Sequence, residues 1–143
     1  MEQMALLRKL VSINSVFGSE GEMGEFLEAQ LARQGFSVRR VEIAPGRFNV
    51  VGERGSRGKP ILLYGHMDTV PPYGEWEGGD PFRLREEEDK LSGLGVFDMK
   101  AGVAAMLCAC GERTDRRLRV VFGVDEENDS EGAHAVAASG LFD

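Results

Sequence analysis

Pro60-Ile61-Leu62-Leu63-Tyr64-Gly65-His66-Met67-Asp68-Thr69-Val70-Pro71 opens on four consecutive apolar residues between a proline and a glycine. An apolar run that short, closed by Gly65, predicts a β-strand buried on both faces, as in α/β domains. Downstream, Met99, Val103, Met106 and Cys110 recur at helical spacing with Leu107 alongside, Leu118 to Val124 forms another apolar strand, and Gly132 to Leu141 begins a last helix. Upstream, residues 2–13 carry an amphipathic helical stripe through Met4, Leu7 and Val11. Ser19 and Glu22 have capping-box spacing ahead of Met23, Phe26, Leu27 and Leu31, and Gly35 marks the end of that second helix. Phe36–Ile43 and Phe48–Gly52 read as strands, Gly52–Lys59 as a polar loop, and Phe82–Arg85 with Lys90–Ser92 as a hairpin whose acidic tip is Glu86–Asp89. Helices alternating with strands predict a single α/β domain with a mixed, mostly parallel sheet covered by helices.

The composition restricts the function classes. The chain has 143 residues, 42% of them apolar, enough for one domain with a real core. Seventeen Lys and Arg against twenty-four Asp and Glu give a net charge of −7, the wrong sign for a nucleic-acid partner. The longest apolar run, Ala101 to Cys110, is about half of what a bilayer span requires. The N-terminus, with Glu2 and a helical rather than continuous apolar pattern, is not a secretory signal. Cys108 and Cys110 do not face each other on a helix and read as small packing residues in a reducing compartment. A cytoplasmic protein with no membrane partner is expected.

Three segments that follow strands or strand-like stretches carry the candidate chemistry. In the first, His66 and Asp68 are two residues apart, so in extended backbone both side chains point the same way. Imidazole suits zinc, and a neighbouring carboxylate fixes its tautomer; the plain alternative is a loop histidine beside a turn aspartate. In the second, Gly93-Leu94-Gly95-Val96-Phe97-Asp98-Met99-Lys100, the glycines allow close approach to the backbone, and Asp98 stands where the third helix begins. Taken alone, Asp98 reads as a helix N-cap. In the third, Asp125-Glu126-Glu127 crowds carboxylates at a strand end, which costs stability unless a cation or a proton resolves the repulsion. Together they form a set of nitrogen and oxygen donors suited to zinc.

The order G-H-x-D-x-V-P, G-x-G-x-x-D-M-K-x-G, then D-E-E resembles the di-zinc amidohydrolases, the family of glutamate carboxypeptidase, aminoacylase, acetylornithine deacetylase and succinyl-diaminopimelate desuccinylase. The resemblance runs from the first helix to the end of the chain and implies a zinc-dependent exopeptidase-like catalytic domain. It implies that His66 and Glu127 are ligands of different zinc ions, that Asp98 bridges both and precedes a cis peptide bond, that Asp68 orients His66, and that Glu126 is the general base. Two cations about 3.5 Å apart would hold a bridging water for attack on an amide of an N-acyl amino acid or short peptide. Zinc is the implied metal, with cobalt a second option, and the complete enzyme is expected to be a homodimer.

The chain departs from the family in two respects. Leu94 stands where the family often has arginine. Members of the family are also several hundred residues long, with a dimer-forming lid domain and two further ligands beyond the Glu-Glu pair. Residues 1–143 therefore read as the N-terminal portion of a catalytic domain that is incomplete at its C-terminus and lacks the lid. His134 does not match the missing histidine ligand. A non-catalytic fragment serving as a binding or assembly piece is the rival reading. Two others fail. Gly93-x-Gly95-x-x-Asp98 lacks the third glycine of a dinucleotide fingerprint and opposes a pyrophosphate with a carboxylate. Gly58-Lys59 lacks both the first glycine and the following Ser/Thr of a P-loop.

Overall fold

The computed structural model describes residues 3–76 and 78–141, so Glu2 of the expected first helix lies outside the described residues. The elements are α1 (Gln3–Ser12), α2 (Gly21–Arg33), β1 (Ser37–Ala44), β2 (Arg47–Arg54), β3 (Arg57–His66), β4 (Arg85–Glu87), β5 (Lys90–Ser92), α3 (Ala101–Gly111), β6 (Arg116–Gly123) and α4 (Glu131–Ala138). A π-helical turn over Val96–Lys100 leads into α3. β4 and β5 form a small separate hairpin.

The main sheet has four strands in the order β1-β2-β6-β3. It is mixed, as expected, but only the β3–β6 pair is parallel; β1–β2 and β2–β6 are antiparallel. The balance follows from the connections. The tight turn at Pro45–Gly46 can join only antiparallel neighbours, whereas β3 reaches β6 through the long crossover that contains α3.

The period of two along β2 and β6 separates two apolar layers. Val50, Val120 and Phe122 face the main core with Leu10 of α1, Leu27 and Leu31 of α2, and Leu107 of α3. Val51 and Val121 face the other way, against Val136 of α4 and Leu141. At Gly24, α2 lies so close to β2 that a Cβ would stand 2.8 Å from the Phe48 ring.

Three local expectations change. β3 is not buried on both faces: it is the sheet's edge strand, and Ile61, Leu62 and Tyr64 are 40–44% exposed. The doubly flanked position goes to β6, whose Val120, Val121 and Phe122 are fully buried. Nor is Gly52–Lys59 a simple loop, because β2 continues through Arg54 and β3 begins at Arg57. The Ser19–Glu22 capping box does not form: Glu20 takes the N-cap position without a side-chain cap, its carboxylate being drawn into the interior by Arg47. Among the described residues no helix is long and apolar enough to cross a membrane.

Candidate metal centre

Parallel pairing of β3 with β6 sets His66 opposite Gly123, so the two strands finish at the same edge of the sheet. The segments that follow them are thereby neighbours, at the C-terminal strand ends where open α/β sheets place ligands. Met67 N–H donates to the Gly123 carbonyl at 2.8 Å, and Thr69 N–H to the Ser15 carbonyl at 2.9 Å. These bonds fix the strand exit from both sides.

Four of the five candidate side chains converge around the His66 imidazole, which is 6% exposed. Its Nε2 lies 2.9 Å from Asp98 Oδ1 and 3.8 Å from Glu126 Oε2. Donor atoms of His66, Glu126 and Glu127 all lie within 4.8 Å of one another. On the other side of the ring, Nδ1 is 3.1 Å from the Asp68 carbonyl oxygen and 3.5 Å from Asp68 Oδ1. Asp68 Oδ2 accepts the Glu127 N–H at 2.9 Å, while the buried Oδ1 has no hydrogen-bond partner. His134 lies on α4 outside this group. Cys108 and Cys110 are unpaired on α3.

Asp98 is not the cap of α3; Lys100 holds that position, and Asp98 has extended backbone within the π-helical turn. The Asp98–Met99 peptide bond is cis. Gly95 takes the left-handed conformation at φ 72°, and a Cβ there would run into the Thr69 methyl group. Asp98 and Glu127 line a cleft of about 460 Å³ together with Val70, Tyr73, Trp76 and the 97% exposed Phe97.

The electrostatics are those of an unbalanced anionic cluster. Burial opposes protonation of His66, but the carboxylates of Asp68, Asp98 and Glu126 outweigh it and push the imidazole up to about 9. Burial, with the charges of Asp98, Glu126 and Asp68, raises the Glu127 carboxyl against the pull of His66. Burial resists ionisation of Asp68, yet His66 and the N–H groups of Glu127 and Glu126 hold its carboxyl below the usual range.

The donors fit a divalent cation. Ligands about 2.1 Å from a tetrahedral zinc stand about 3.4 Å apart, and the spacings of 2.9 and 3.8 Å around Nε2 bracket that value. Glu126 and Glu127 both bring a carboxylate oxygen within 4.8 Å of the His66 imidazole.

Residues 62–143, more than half of the chain, match the sequence profile of peptidase family M20/M25/M40. The chain belongs to this family. It is 33% identical over 144 residues to acetylornithine deacetylase of Vibrio vulnificus, a match covering 92% of this chain and 38% of that protein. With N-acetyl-L-citrulline deacetylase of Xanthomonas campestris it shares 36% identity over 142 residues, covering 94% and 37% respectively. Human carnosine dipeptidase 1 has the same fold, with a TM-score of 0.83 at 22% identity over 94% of this chain and 34% of that one. A Bacillus subtilis M20 protein described as a dinuclear metal-binding peptidase superposes with a TM-score of 0.68 at 18% identity, covering 99% and 39%. This chain thus spans between about a third and two-fifths of the length of these M20 relatives. The family named from the three motifs and the family matched here are the same.

The motif reading missed Arg47 and Asn49, which support the Glu126–Glu127 loop from β2. One signal was present: Asn49 is a polar residue inside the otherwise apolar run Phe48–Val51.

Proposed function

We propose that the chain provides part of the active site of a metal-dependent amide hydrolase acting on N-acyl amino acids or short peptides. The convergence of His66, Asp98, Glu126 and Glu127 beyond β3 and β6 carries this reading. In it His66, Asp98 and Glu127 would hold the metal. Bound zinc supplies polarisation of the scissile carbonyl and a water acidic enough to deprotonate near neutrality.

The protein's own groups do the rest. The Asp68 carbonyl oxygen accepts a hydrogen bond from the Nδ1–H of His66, which fixes the tautomer and leaves the Nε2 lone pair directed at the centre. Glu126, with its side chain 49% exposed, has room to turn. A carboxylate oxygen of Glu126 takes the proton of the attacking water and delivers it to the amine nitrogen as the C–N bond breaks. The substrate class is supported by relatives named as an acetylornithine deacetylase, an N-acetyl-L-citrulline deacetylase and a dipeptidase. Residues 1–143 act in this reading as the N-terminal portion of the catalytic domain, with further ligands and a lid supplied by sequence outside them. The complete enzyme is a cytoplasmic homodimer.

Glu126→Gln, made in a protein of full family length that carries this chain, tests the roles. Hydrolysis of an N-acyl amino acid should fall about 10²–10⁴-fold, because a positioned base is lost, while zinc content by elemental analysis stays unchanged. Loss of zinc would make Glu126 a ligand and exchange its role with Glu127.

A further inference from the structure

The acidic loop between β6 and α4 is tied down by residues of β2 that play no part in the chemistry above. Arg47, the first residue of β2, donates from Nε and Nη2 to the Glu20 carboxylate at 2.9 and 2.7 Å, and from Nη2 to Asp125 Oδ1 at 2.8 Å. Both carboxylates are buried, with side-chain exposures of 0% for Glu20 and 2% for Asp125. Asp125 is in turn the hub of the loop. Its Oδ2 accepts the N–H groups of Asp129 and Glu131 at 3.3 Å, and its carbonyl accepts the Ser130 N–H at 2.7 Å. Asn49 lies two residues along β2 and therefore on the same face. Its Oδ1 accepts the Val124 N–H and its Nδ2 donates to the Gly132 carbonyl, both at 3.1 Å, closing the loop's two feet.

We propose that Arg47 is a positioning residue, which acts through Asp125 to hold the 125–131 loop in the conformation that presents Glu126 and Glu127 to His66. Two features of the loop demand such a tie. Asp125 sits at φ 66°, a left-handed conformation that L-residues other than glycine adopt at a cost. Glu126 and Glu127 also repel Asp68 and Asp98 until a cation arrives, so an untethered loop would relax away from the centre. The guanidinium fork suits the task, since it bonds two carboxylates at once where an ammonium group offers a single point charge. The effect on metal binding rests on the functional reading above; the effect on the loop does not.

The test uses the whole chain and four proteins: wild type, Arg47→Met, Arg47→Lys and Val103→Ala. Val103 is a buried core residue of α3 and serves as a control for destabilisation elsewhere. Arg47→Lys keeps a cation beside Glu20, so that variant should fold even if Arg47→Met does not. Amide hydrogen exchange followed by NMR should show Glu127, Ser130 and Glu131 exchanging at least tenfold faster in the Arg47 variants than in wild type, with no such local change in Val103→Ala. In Co²⁺ titrations the Arg47 variants should bind at least tenfold more weakly and give an altered visible d–d spectrum. Loop exchange within twofold of wild type in the Arg47 variants, or an equal change in Val103→Ala, would overturn the proposal. A wild-type chain that takes up no Co²⁺ would count against the metal reading, and the exchange rates would still decide the role of Arg47.

Discussion

His66 and Lys100 are buried bases whose surroundings act on them in opposite senses. The carboxylates around His66 outweigh its burial and raise it from 6.5 to about 9. Lys100 is 2% exposed, donates to the Ile13 carbonyl at 2.8 Å, and is lowered by burial from 10.5 to about 8. In the metal-free protein His66 contributes stability that is fully present below pH 6.5 and is lost as pH rises through 9. Charged Lys100 is a penalty on folding below pH 8, relieved as pH climbs toward 10.5. Each effect is worth about 3 kcal/mol at its full extent. Urea midpoints measured in a chelator should therefore fall from pH 6.5 toward 8; above that the gain from Lys100 is opposed by the Cys110 thiol and the Tyr64 phenol, which burial pushes up. The two effects are read as differences from wild type: His66→Gln should remove a loss of stability between pH 6.5 and 9, and Lys100→Met a gain between pH 8 and 10.5; a variant whose profile runs parallel to wild type across its window would refute that assignment. The candidate donors themselves were legible in the sequence, because H-x-D, the glycine-flanked aspartate and D-E-E are local patterns. Arg47 was not: its bond to Asp125 spans 78 positions, and no local pattern records a partner that distant.

At the scale of elements, the turn before the π-helical segment is the place where a single methyl group should do most harm. Gly95→Ala would set a side chain in a left-handed conformation and drive its Cβ into Thr69, on the segment that carries Asp68. Strain and overpacking together should cost about 2–4 kcal/mol in urea unfolding, with a matching loss of metal affinity because Asp98 follows three residues later. A change below about 0.5 kcal/mol would mean that the turn relaxes freely. α1 was readable from its apolar stripe, which buries Leu6, Leu7, Leu10 and Val11, and α3 from an uninterrupted run of small and apolar residues, of which Val103, Ala104, Leu107 and Cys110 are buried. The burial of β3 was misread because Ile61-Leu62-Leu63-Tyr64 is as apolar as a central strand, and a strand's place in the sheet order is set by pairing rather than by its own composition. The directions of the pairs made by β6 were equally hidden, since both of its partners lie far from it in sequence.

For the molecule as a whole, the carboxylate cluster predicts that a divalent cation and the folded state stabilise each other. Zinc at a hundred times its dissociation constant should add about 2.7 kcal/mol, which for a domain of this size corresponds to a rise of roughly 5–15 °C in Tm. A chelator should reverse the rise and Glu127→Gln should largely abolish it, as read by scanning calorimetry; an unchanged Tm at saturating zinc would exclude the centre. The three-layered arrangement, with α1, α2 and α3 on one face of the sheet and α4 on the other, leaves the cluster at the open C-terminal ends of the strands rather than inside the core. The cleft beside it contains Trp76, the only tryptophan in the chain. An indole in that wall is an optical reporter already in place. Light emitted from it on ultraviolet excitation comes from one known position in the cleft that Asp98 and Glu127 also line, so metals, amino acids and peptides can be screened in a cuvette without attaching a dye.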